Sequence, residues 1–152
     1  MANPSIEYLT NADIEERLGS KAYVQLADDD GDGSADVGVV DEARHAALGE
    51  VNGYLAQRYE TPIDTAVHTE LAPLLQSISL DLAEYHLRSR RPPVPDIALR
   101  RRDQAVVWLR RVASGSISLP SIKPLASNTT RGTIASALGE KRVLSRKALD
   151  DF

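Results

Sequence analysis

Residues 28–36 read Asp-Asp-Asp-Gly-Asp-Gly-Ser-Ala-Asp, and no other stretch restricts the fold as much. Five carboxylates and two glycines in nine residues cannot continue a helix or a strand, because the charges repel and glycine favours backbone angles that regular elements avoid. From Val37 the composition flips. Val40, Ala43, Ala47, Val51, Tyr54, Leu55 and Tyr59 recur at three- and four-residue steps and trace the apolar stripe of one long helix ending near Tyr59. Asp36 is placed to cap that helix, and Asp41 and Glu42 suit its positive N-terminal end. The chain is therefore organised as a short lead-in, an acidic loop, and helices packed on the stripe that follows.

Before the loop, Ile6, Tyr8 and Leu9 form a short extended segment. Thr10 and Asp13 then open a brief helix that Gly19 ends, and a second runs over Lys21 to Ala27. After Thr61-Pro62 a helix is expected from about Glu70 to Ser89. Leu71, Leu74, Leu75, Ile78, Leu82 and Tyr85 form its main stripe, widened by Leu80, Ala83 and Leu87, so it belongs in the middle of a bundle. Pro92-Pro93 stops it. A third long helix begins at Val94-Pro95-Asp96, turns Ile97, Ala105, Trp108, Leu109 and Val112 inward, and ends at Gly115. Ile117 and Leu119 alternate with serines and give at most one short strand. The fold class is all-α: a small bundle of three main helices with short N-terminal helices, over residues 1–119. Residues 120–152, with Pro120, Pro124 and Ser127-Asn128-Thr129-Thr130, read as an extended C-terminal arm that orders on a partner.

Composition narrows the function. At 152 residues the chain suits one domain with a modest core. It holds no cysteine, which excludes disulfides, thiolate zinc sites and cysteine nucleophiles. No apolar run reaches the length of a bilayer and no secretory signal opens the chain, which places the protein in the cytoplasm or in something assembled there, with no membrane partner. Residues 1–87 carry 17 acids and 4 bases, and residues 88–152 carry 5 acids and 14 bases. Such a split fits assembly through acidic-to-basic contact, with Arg100, Arg101, Arg110 and Arg111 as inter-subunit partners. It fits equally well the neutralisation of one half by the other inside a single fold.

Three features invite a chemical reading. Aligned to a calcium loop, Asp28, Asp30, Asp32, Ser34 and Asp36 stand at ligand positions one, three, five, seven and nine, with Gly33 at the sharp turn. Val39 occupies the twelfth position, where a bidentate glutamate is expected, so calcium competes with a plain polar turn whose carboxylates cap backbone N–H groups. No cofactor is required on either reading. His45, His68 and His86 are scattered, and no nucleophile elbow, phosphate loop or paired-carboxylate arrangement occurs, so the chain does not read as an enzyme. The arginines of residues 88–111 could meet a nucleic-acid backbone, but they surround their helix and lack interleaved aromatics.

The order of several short motifs resembles a family of small virion proteins of Mu-like phages and prophages. These are Tyr8-Leu9-Thr10 before a short helix, Gln25-Leu26-x-Asp28-x-Asp30-Gly31-Asp32-Gly33, Ala56-x-Arg58-Tyr59, and Leu71-x-x-Leu74-Leu75. They continue with Asp81-x-Ala83-x-Tyr85-x-Leu87 leading to Arg90-Arg91-Pro92, then Gly115-x-Ile117-Ser118-Leu119 and the closing Arg142-Val143-Leu144-Ser145-Arg146-x-x-Leu149-x-x-Phe152. The resemblance implies a head–tail connector, or adaptor: a helical protein that forms a ring, usually twelve-fold, under the portal. Such a ring extends the DNA channel and receives the tail or a stopper protein. Residues 1–119 would be the connector domain. Arg142, Arg146, Leu149 and Phe152 would dock the arm on the portal protein, and DNA would slide past without specific binding. The location implied is the capsid–tail junction of the virion, reached after assembly in the host cytoplasm. The rivals are a DNA-binding protein using residues 88–111 and a small calcium-binding interaction module.

Overall fold

The computed structural model describes residues 7–126 and is helical throughout, with no strand among the described residues. Two short helices, α1 (Asn11–Leu18) and α2 (Ser20–Ala27), precede three long ones: α3 (Val37–Leu55), α4 (Ala72–Ser89) and α5 (Asp96–Ala113). The breaks between them follow from local chemistry. Thr10 caps α1 through a reciprocal box, its Oγ1 accepting from the Asp13 amide at 3.3 Å while the Asp13 carboxylate accepts from the Thr10 amide at 2.8 Å. Gly19, at φ 78°, turns the chain from α1 into α2.

The long helix α3 stops at Leu55, short of Tyr59. The amides of Gln57 and Arg58 reach back only three residues, to Tyr54 and Leu55, so the last turn tightens and unwinds. Tyr59 remains buried, and its hydroxyl accepts from the Leu119 amide at 2.9 Å. That bond holds the segment after α5 against the end of α3, and it replaces the strand expected at residues 117–119. Tyr8 does the same at the other side of the bundle, accepting from the Ile63 amide at 2.7 Å and donating to Asn52 at 2.9 Å. Asp36 stands at the N-cap position of α3, yet its carboxylate caps the Asp29 amide within the loop instead of the helix.

The core forms where α3, α4 and α5 pack on one another, with α1 and α2 laid across α3 and α4. Val40, Ala47, Val51 and Leu55 of α3 meet Leu75, Leu82 and Leu87 of α4 and Ala105, Leu109 and Val112 of α5. The inward stripe of α5 begins at Ala98; Ile97 lies one residue, about 100° of helix rotation, away from it and is 54% exposed. Trp108 is half-buried at the edge of the same stripe, and Leu74 of α4 likewise turns outward. α4 runs against α3, since Arg90 at its end reaches the loop before α3. α5 runs with α3, since Gly115 at its end lies against Arg58 just past α3. Among the described residues no helix is long and apolar enough to cross a membrane.

Candidate functional site

The acidic loop folds on its own carboxylates. Asp28 accepts from the amides of Gly31 and Gly33 at 2.6 and 2.9 Å, Asp30 from Asp32 at 3.0 Å, and Asp32 from Ser34 at 2.7 Å. Gly31 and Gly33 have φ of 79° and 85°, which this winding requires. Desolvation works to raise the Asp28 carboxyl, but the Gly33 and Gly31 amides outweigh it and hold it below its ordinary range. Asp28, Asp30 and Asp36 bring one oxygen each within 4.8 Å of one another and could together meet a hard cation; Asp32, another expected ligand, is not in that group.

Asp29, which has no place in the calcium alignment, ties the loop to the rest of the molecule. Its carboxylate receives Arg90 at 2.6 Å and Arg91 at 3.1 Å, and the two guanidiniums hold it below the usual carboxylate range. Arg90 also donates to the Leu26 carbonyl at 3.0 Å, and Arg91 to the Asp28 carbonyl at 2.6 Å. The end of α4 is thereby clamped to the end of α2 and the start of the loop, so that part of the acidic first half is neutralised by the basic second half within one chain.

A second cluster lies along α4. Glu84 is 3% exposed and accepts from Arg88 at 2.8 Å, from Arg17 of α1 at 3.3 Å and from Arg101 of α5 at 3.3 Å; Arg17 also meets Asp81 at 2.9 Å. One buried carboxylate thus joins three helices. The signal for it was present in sequence, as an acid at the first x of the Leu82-Ala83-x-x-x-Leu87 stripe, where solvated charge does not belong.

Of the four arginines expected to pair between subunits, Arg101 is engaged with Glu84 of its own chain. Arg100, Arg110 and Arg111 are exposed and make no ion pair among the described residues. They share the outer face of α5 with Ile97, Leu99 and Val107, which are 54%, 38% and 47% exposed. Val107, Trp108 and Arg111 line a shallow depression there. The histidines do not come together: His86 faces Glu50 at 3.4 Å, His68 faces Glu70 at 4.0 Å, and His45 is exposed. Arg142, Arg146, Leu149 and Phe152 lie outside the described residues.

Past α5 the chain stays on the bundle as far as it is described. Ile122 packs against the core, and the Leu125 amide donates to the Arg58 carbonyl at 2.7 Å. The Arg58 guanidinium fills the space beside Gly115, where a Cβ would come within 1.7 Å of it.

A search of curated proteins gives no match to the chain. The family model described as Bacteriophage Mu, Gp36 matches residues 8–136, which takes in all five helices, the acidic loop and the segment that returns over Arg58. The chain belongs to this family and is a bacteriophage protein.

Proposed function

We propose that this phage structural protein is a head–tail connector, forming a ring beneath the portal that continues the DNA channel and receives the tail or a stopper. The observation that carries the proposal is the match to the Mu Gp36 family over residues 8–136, and the small helical bundle is in keeping with it. A structural role suits the way the charges are used: Asp29 ties the acidic loop to the end of α4, and Glu84 ties α4 to α1 and α5. The arm, through Arg142, Arg146, Leu149 and Phe152, is assigned to the portal protein, and DNA passes through the ring without specific contact.

The arm is tested by cutting after residue 126, which leaves the Leu125 bond to Arg58 in place. The truncated chain is expected to keep its melting temperature and lose the portal; a truncated chain that still binds portal contradicts the assignment. The DNA-binding alternative is weakened by the internal engagement of Arg88, Arg90, Arg91 and Arg101, which removes four of the cations it would use. For the loop, the convergence of Asp28, Asp30 and Asp36 supports calcium as its candidate ligand. Binding there would raise the melting temperature with added calcium, an effect lost in Asp30→Asn; no rise in the parent chain removes calcium from the account.

A further inference from the structure

The outer face of α5 is unusual for a bundle surface. Val107 stands opposite the buried stripe, flanked by Arg100 and Arg111, with Ile97 and Leu99 on the shoulders. Exposed apolar side chains set among unpaired guanidiniums form a surface that is incompletely used within one chain. The outer face of α3 is its counterpart. It carries Gly38, Glu42, Ala46, Gly49 and Gly53, all exposed, and Glu42 makes no ion pair among the described residues. A Cβ at Gly38, Gly49 or Gly53 would meet nothing within 4 Å, so the chain's own packing does not call for glycine at any of the three. Each of them weakens the helix relative to alanine.

We propose that the outer face of α5 docks on the outer face of α3 of a second copy of this chain. Charge supports the pairing, because Arg100, Arg110 and Arg111 outnumber Asp96 and Asp103 on the α5 face, while Glu42 is the charge on the α3 face and the loop before it adds Asp30, Asp32 and Asp36. Shape supports it as well. α3 and α5 run in the same direction, and a rotation axis lying roughly along the bundle keeps α5 of one copy parallel to α3 of the next. Laid side by side from their first residues, the helices bring Ile97 level with Gly38, and put Arg100, Val107 and Arg111 each within one residue of rise of Glu42, Gly49 and Gly53. Val107, the aliphatic side chain at the centre of the α5 face, then stands against a position with no side chain, and Arg100 lies beside Glu42, neither of them in an ion pair among the described residues. Because the two faces are different and lie on different helices, the contact is head-to-tail, which closes into a ring or propagates and does not stop at a two-fold dimer. The closed ring rests on the connector reading; the contact itself does not.

The chain has no cysteine, so single-cysteine variants test the contact cleanly. The full chain is expected to increase in weight-average mass with concentration in sedimentation equilibrium, less so at high salt. Mixing Val107→Cys with Gly49→Cys under mild oxidation should give a disulfide-linked pair, while Val107→Cys mixed with Val67→Cys, an exposed position off this face, should not. Val107→Asp, at an exposed site, should return the chain to monomer with its melting temperature unchanged. The proposal is overturned by a chain that is monomeric at every concentration, by Val107→Asp that still associates, or by equal cross-linking to Val67→Cys. None of these results bears on portal binding by the same chain, so the contact can fail while the connector reading stands, and the reverse.

Discussion

Glu84 is the one buried carboxylate among the described residues, and three arginines from three helices converge on it. Glu84→Leu would leave those guanidiniums facing an apolar side chain. A fully buried broken pair costs about 3–5 kcal/mol, but here the arginines keep partial access to water, so a loss of about 2–3 kcal/mol in unfolding free energy is expected, measured by urea denaturation. Gly115→Ala is expected to cost more than about 1 kcal/mol in the same assay, because φ is 82° there and Arg58 occupies the space a Cβ needs. In the loop the expected pH dependence has a definite sign. The Asp28 and Asp29 carboxyls are held below the ordinary value of 3.8, so the stability they lend is present above that pH and is lost as the pH falls through their lower folded values. An acid titration by NMR should therefore find the Gly31 and Gly33 amide signals moving with a midpoint below 3.8; a midpoint at or above it contradicts the hydrogen-bonding described.

At the scale of elements, the glycines of α3 separate folding from assembly. Gly49→Ala and Gly53→Ala are each expected to stabilise the isolated chain by about 0.5–1 kcal/mol, since the added methyl meets nothing in its own fold. A destabilisation on thermal melting would show that the outer face of α3 is not open. The helices themselves were legible in sequence because their stripes repeat: the Thr10–Asp13 cap, the Gly19 turn, and the ends of α4 at Ser89 and of α5 before Gly115 all follow from local residues. The phase of α5 was not, because Ile97 and Ala98 are both apolar and only packing decides which of them turns inward. The end of α3 was missed for a related reason: Tyr59 keeps the apolar spacing and is buried, but in a turn whose hydroxyl is claimed by Leu119. The site divides in the same way. Asp28, Asp30 and Asp36 were visible as an acidic pattern and Glu84 as an acid on an apolar stripe with Arg88 one turn on, whereas the clamp on Asp29 and the reach of Arg101 to Glu84 depend on arginines 61 and 17 residues away along the chain and could not be read from local spacing.

Over the whole molecule, the charge split is partly resolved inside the chain and partly left over. The clamp of Arg90 and Arg91 on Asp29 and the convergence on Glu84 draw the basic half onto the acidic half, while Arg100, Arg110 and Arg111 stay exposed on α5. That remainder is available to the contact proposed between copies, and the family match over residues 8–136 makes the chain a phage protein. The most direct test is the mass of the complex formed with the portal protein of the same phage, measured by light scattering after size-exclusion chromatography. The connector account expects the portal ring to gain a complete ring of copies of this chain, with both proteins in one peak. A portal ring whose mass is unchanged in the presence of excess chain would contradict it.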